Sequence, residues 1–305
     1  MREDLFYRNL AVPEGRVDVV LDTDTYNEID DQFALSYMLL SEDRLHVVGL
    51  TAAPFYNSNS TSPADGMERS YQEILHLLKL LGREDLNPIV YRGSETYLSD
   101  EKTPVNSDAA DFLSRLADAY SPENPLYIIA IGAITNVASA FLLNPRMAEN
   151  CVVVWLGGHA RKFGAAEFNM MQDIAAARIV MLSGVPFIQL PCKGVVDIFH
   201  VSKPELEYWL EGKNLLCSYL VQHTTEAAEQ YAAGRPWSRV IWDVTAVAWL
   251  LNTDDRFMES DIEHAPVPEY DLRYATDDRA PLIRIVNHIH RDALLEDLIQ
   301  KLSNV

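Results

Sequence analysis

Residues 17–39 read VDVVLDTDTYNEIDDQFALSYML. Val17 to Asp22 is a short β-branched run that ends in acids. Phe33, Ala34, Leu35, Tyr37 and Met38 are the apolar positions of a helix that follows. Five acids, Asp22, Asp24, Glu28, Asp30 and Asp31, fall within ten residues between strand and helix. One helix start uses one or two acids, as a cap or against its positive end; Glu28 reads as one of these or as a solvated side chain. The remaining carboxylates repel one another at one strand end, at a cost that a bound divalent cation removes. Oxygen-only ligands suit Ca²⁺ or Mg²⁺ rather than zinc. The stretch is not an EF-hand loop: counted from Asp22, Asn27 holds the glycine position and Phe33 the place of the bidentate glutamate.

The alternation begun here continues. Near-continuous apolar runs at residues 46–52, 88–91, 125–132, 151–158 and 185–191 predict strands covered on both faces. Between them, Met67, Tyr71, Ile74, Leu75, Leu78 and Leu81 recur at helical spacing, with Gly82 as a stop. Ala109, Phe112, Leu113, Leu116 and Ala117 repeat the stripe. Thr135 and Asn136 open the apolar helix VASAFLL, and Asp173 precedes IAAARIVML in the same way. Strand and helix in this order predict an α/β fold: an open, mostly parallel central sheet with helices on both faces. Beyond residue 200 the pattern is mainly helical, with a late strand at 282–287. No linker composition interrupts the chain, so residues 1–305 are expected to form a single domain. Polar loops at 54–66 and 92–107 follow strands, where α/β folds place their sites.

Composition sets outer bounds. Apolar residues make up 48% and charged residues 23% of the 305, the ordinary globular mix. There is no run of 18 apolar residues, so no membrane-spanning helix is expected. The opening MREDLFYRNLAVPEGR lacks the apolar segment of a secretory signal. With 45 acidic against 25 basic residues, the net charge of −20 repels phosphate backbones and argues against nucleic-acid binding. Cys151, Cys192 and Cys217 are odd in number and irregularly spaced, which predicts a reduced, cytoplasmic protein without a disulfide framework.

A second constellation lies downstream. Glu167 and Asn169 flank Phe168, and in an extended segment they would point to the same side. A carboxylate and an amide together match the hydroxyls of a sugar. Asp243, in RVIWDVTAVAWLLN, begins another apolar helix and by itself reads as an N-cap. VVLDTDTY also looks like the first motif of the haloacid-dehalogenase-like phosphatases, with Asp22 as nucleophile and Asp24 as acid. That reading needs a later lysine, for which Lys193 is available, and a further acidic pair that the sequence does not place.

Taken together, the segments resemble the inosine–uridine-preferring nucleoside hydrolase family over roughly residues 16–255. The resemblance rests on Asp22-Thr23-Asp24 with Asp30-Asp31, on LTAAPFYN ending at Asn57, and on GAITN from Gly132 to Asn136. It rests also on EFNMMQDIAAA and on Asp243. It implies that Asp24, Asp31 and Asp243 hold a Ca²⁺ ion, joined by a main-chain carbonyl of Ile134 or Thr135. It implies that Asp24 is the general base for a water on that ion, and that Asp30, Asn57, Glu167 and Asn169 grip the ribose. The reaction implied is hydrolysis of the N-glycosidic bond of a ribonucleoside to ribose and free base, by a homodimer or homotetramer.

This sequence departs from the family pattern on the side of the base. The turn TYNEI, between Asp24 and Asp30, is two residues longer than usual. Trp242 replaces the histidine that commonly precedes the late aspartate, Arg161 replaces a sugar-contact asparagine, and the histidine after the third strand is absent. Help for the leaving base is then expected from Tyr26, His159, Arg161 or Asp108, or from stacking on Trp242. The missing histidines also leave open a nucleoside- or ribose-binding protein with little or no catalysis.

Overall fold

The computed structural model describes residues 1–304. Eight strands form its central sheet: β1 (Val17–Thr23), β2 (Leu45–Ala52), β3 (Val90–Tyr91), β4 (Leu126–Ala130), β5 (Cys151–Leu156), β6 (Phe187–Leu190), β7 (Met258–His264) and β8 (Leu282–Ile289). Their order across the sheet is β3-β2-β1-β4-β5-β6-β8-β7, and every pairing is parallel except that of β7 with β8. The open, mostly parallel α/β sheet expected from the strand–helix alternation is therefore observed.

The two faces of β1 show why its run is continuously apolar. Val19 and Leu21 join one core, and Val20 joins the other. Ile129 and Ile128 of β4 divide in the same way, as do Val154 and Val153 of β5. Period-2 alternation thus feeds two apolar layers instead of one. Helices Asp31–Leu39, Pro63–Leu80 and Leu215–Ala232 contribute to the first layer; Asp108–Leu116, Thr135–Leu143 and Ile174–Met181 contribute to the second.

Two differences from the expected elements have physical causes. The run at 88–91 yields only the two residues of β3, because Pro88 lies in a 3₁₀ turn, Glu84–Ile89, and cannot donate to a ladder. Strand β7, of sequence MESDIEH, carries too many charges to read as a strand. It is an edge strand with mostly exposed side chains, where charge is tolerated.

The chain leaves β1 toward β2 and β3 on one side and returns at β4 on the other. The order reverses between β1 and β4, and the loops at their carboxyl ends open a crevice there. Among the described residues, no helix is long and apolar enough to cross a membrane.

Candidate active site

At the end of β1, Asp22 pairs in register with Thr51 of β2 and Ala130 of β4. Its Oδ1 accepts hydrogen bonds from Thr51 Oγ1 at 2.7 Å and Asn136 Nδ2 at 2.8 Å. Asn136 in turn donates to Ala52 O, while its own oxygen accepts from the amide and hydroxyl of Ser94. Burial pushes the Asp22 carboxyl up to about 6, against the lowering effect of its two hydrogen bonds. Asp22 is fully buried. The phosphatase reading makes it the nucleophile, but one of its oxygens is already held by Thr51 and Asn136, so the carboxylate serves as a brace between strand ends. Asn136 ties three strand ends together. Asn136→Ala is expected to lower stability by about 3 kcal/mol in denaturant unfolding, because buried partners on both sides lose their bonds at once.

Two residues on, Asp24 is also fully buried, and neither of its carboxylate oxygens has a hydrogen-bond partner. Burial, then the charges of Asp31 and Asp30, hold its carboxyl well above the usual range. The β4 loop lies directly against it: a Cβ on Gly132 would come within 3.0 Å of the Asp24 carboxyl carbon. Glycine is what permits that approach.

Asp30, Asp31 and Asp243 each offer an oxygen within 4.8 Å of the others, and all three are buried. Asp31 begins helix Asp31–Leu39, where its Oδ1 accepts from Thr23 Oγ1 at 2.5 Å. Burial and the neighbouring Asp30 push its carboxyl up to about 7. Asp243 precedes helix Val244–Trp249, and its amide donates to Asp30 Oδ2 at 3.3 Å. Its carboxyl is raised by burial and then by Asp30, Asp31 and Asp24. Residues 213 apart thus meet at one point. All the donors are oxygens, one carboxylate is wholly unpartnered, and a glycine clears the space beside it. That arrangement fits a hard divalent cation.

Above these acids a cleft of about 210 Å³ is lined in part by Asn27, Asp30, His159, Glu167, Asn169, Trp242 and Asp243. Glu167 and Asn169 share it, but not as alternating residues of an extended segment. Glu167 is the N-cap of the short helix Phe168–Gln172, accepting from the amides of Gly158, Asn169 and Met170 at 2.8–2.9 Å. Asn169 donates both amide hydrogens, to Ile131 O and Leu156 O at 3.0 Å, which leaves its oxygen for the cleft. His159 Nδ1 accepts the Lys193 amide at 3.1 Å, and burial and then Lys193 lower its pKa. It is therefore a neutral imidazole with Nε2–H as its donor.

The remaining candidates have partners or positions of their own. Ile134 O accepts the first bond of helix Thr135–Leu143, and Thr135 Oγ1 donates to Asp173 at 2.7 Å. Asn57 is half-buried and reaches the cleft through Asn27, to whose Oδ1 it donates at 2.5 Å. Arg161 turns to the edge strand, pairing with Glu263 at 3.5 Å and bonding His264 O. Tyr26 is exposed beside Arg69, and Asp108 is exposed at the start of its own helix. Sequence reading missed the cleft positions of Asn27 and Glu28 and the bracing by Asn136. The unusual length of the turn was the signal for the first two.

Comparison with known proteins bears on this arrangement. A profile of the family described as "Inosine-uridine preferring nucleoside hydrolase" matches residues 19–296. "Probable uridine nucleosidase 2" of Arabidopsis thaliana is 28% identical over 57% of this chain and 58% of its own length. "Pyrimidine-specific ribonucleoside hydrolase RihA" of Klebsiella pneumoniae is 23% identical over 90% of this chain and 95% of its own. Among solved structures, a plant nucleoside hydrolase superposes with a TM-score of 0.74 at 20% identity, covering 95% of this chain and 99% of that one. The purine-preferring ribonucleoside hydrolase of Gardnerella vaginalis gives 0.72 at 20% identity, over 94% and 98%. At such identity these two likenesses speak for the fold.

Proposed function

The chain belongs to the inosine-uridine preferring nucleoside hydrolase family, and from that membership we propose a Ca²⁺-dependent ribonucleoside hydrolase in which Asp24 takes the proton of the attacking water. The enzyme is an N-glycosyl hydrolase: water adds at C1′ of the sugar, the C1′–N bond breaks, and the base departs. The observation that carries the finer reading is the pair of unpartnered Asp24 oxygens beside the Asp30–Asp31–Asp243 cluster.

Asp24, Asp31 and Asp243 would hold the cation, with a main-chain oxygen of Ile134 or Thr135. When bound, Ca²⁺ offsets the repulsion among these acids and acidifies water in its shell. Asp24 would then accept the proton of that water. Asp30 faces the cleft, and with Glu167, Asn169 and Asn57 it orients the ribose hydroxyls so that C1′ meets the water. Negative charge beneath the ring favours the oxocarbenium-like transition state. His159 and the flat indole of Trp242 stand on the cleft wall on the side proposed for the base. Arg161 has no place in this set, because its guanidinium is engaged at the sheet edge.

The subunit is proposed to be one domain acting as a homodimer or homotetramer, in keeping with the family. Three buried free cysteines support a cytoplasmic setting. A panel of ribonucleosides assayed for reducing sugar tests the activity. Ribose release that falls at least about 100-fold when the cation is chelated is expected. Binding without release would favour the non-catalytic alternative, and release indifferent to chelator would reject the cation.

A further inference from the structure

The turn between Asp24 and Asp30 brings Asn27 and Glu28 to the cleft. Asn27 is anchored from three sides: its amide donates to Asp24 O at 2.7 Å, and its oxygens accept from Asn57 and Asn59. Next to it Glu28 lines the cleft. One oxygen of Glu28 accepts from Arg239 at 2.7 Å across 211 residues of sequence; the other has no partner among the described residues. Arg239 itself is largely buried, three residues before Trp242. The carboxylate is thus paired with a largely buried guanidinium at the cleft.

Depth assigns it a neighbour. Asp30, Asp243 and Glu167 are at most 6% exposed on the cleft floor, whereas the Glu28 side chain is 44% exposed. If the floor takes the sugar, as the nucleoside-hydrolase reading on which this inference rests requires, the base lies nearer the mouth, between Glu28 and Trp242. An oxygen with no protein partner there is an acceptor waiting for a donor.

We propose that Glu28, braced by Arg239, selects bases that present an N–H on the edge facing the turn, such as the lactam N–H of uracil- or hypoxanthine-type bases. A site that hydrogen-bonds such a group rejects an analogue lacking it more strongly than an apolar pocket rejects a change in size.

The test is kcat/KM for uridine against 3-methyluridine and inosine against 1-methylinosine, in wild type, Glu28→Gln and Glu28→Met. Wild type is expected to favour the unmethylated member of at least one pair by roughly 30-fold. Glu28→Gln, whose amide oxygen still accepts, retains most of that ratio. Glu28→Met fills similar space without an acceptor, and its ratio falls to within about threefold of unity. Equal turnover of both members by wild type overturns the proposal and leaves the hydrolase reading intact. A ratio that persists in Glu28→Met makes the discrimination steric and also overturns it. If wild type releases ribose from no nucleoside, the hydrolase reading falls, and this inference with it.

Discussion

Asp24→Asn is expected to lower kcat for ribonucleoside hydrolysis by at least about 10³-fold. The substitution keeps the shape of the side chain, which packs closely against Gly132. It removes the ability to accept a proton, a contribution on the order of 10² to 10⁴ in rate. It also removes one negative charge from a set whose acids all lie within mutual Coulombic reach, so cation affinity falls with it. Single-turnover kinetics at saturating Ca²⁺ separate the two losses: the proton-transfer deficit survives when occupancy is restored. A rate within about tenfold of wild type under those conditions would remove Asp24 from the chemistry.

The second large effect concerns stability. Removing the cation leaves Asp24, Asp31 and Asp243 buried with mutually unfavourable charges, as the raised carboxyls of all three express. Wild type in chelator is expected to unfold about 8 °C lower than with Ca²⁺ at about a thousandfold its Kd, a linkage of roughly 4 kcal/mol. Asp243→Asn should reverse the order in chelator. The aspartate makes no side-chain cap bond to its helix, the asparagine amide can still pair with Asp30 and Asp31, and one buried charge disappears. That variant should melt above cation-free wild type and gain little from Ca²⁺. Differential scanning calorimetry with and without chelator reads both. A variant that melts below wild type in chelator would mean that Asp243 serves the fold and not a cation.

Much of the fold was legible because its signals are local. Continuous β-branched runs such as Val17 to Leu21 and Val152 to Val154 are what two buried faces require. Edge strand β7 was not legible, since its charged residues answer to solvent instead of to a core. In the site, residue types and order pointed to Asp24, Asp30, Asp31 and Asp243; the structure brings Asp30, Asp31 and Asp243 together at helix starts, with Asp24 within Coulombic reach of them. Glu167 and Asn169 reached the cleft by a different local geometry from the one expected. An N-cap with three backbone donors outcompeted an extended segment. Asn57 and Arg161 show the limit of spacing alone. Each is steered by a partner far away in sequence, Asn27 for the first and Glu263 for the second. The engagement of Glu28 by Arg239 is equally non-local. An acid read as a helix cap or a solvated side chain is indeed exposed, and it also stands at the cleft.

The most direct test of the cation site is calorimetric titration of Ca²⁺ into cation-depleted protein, for wild type and Asp243→Asn. One tight site per chain is predicted in wild type, weakened at least about 100-fold in the variant while its far-UV circular dichroism is unchanged. Absence of a tight site in folded wild type, or a site that survives the substitution at full affinity, would contradict the account.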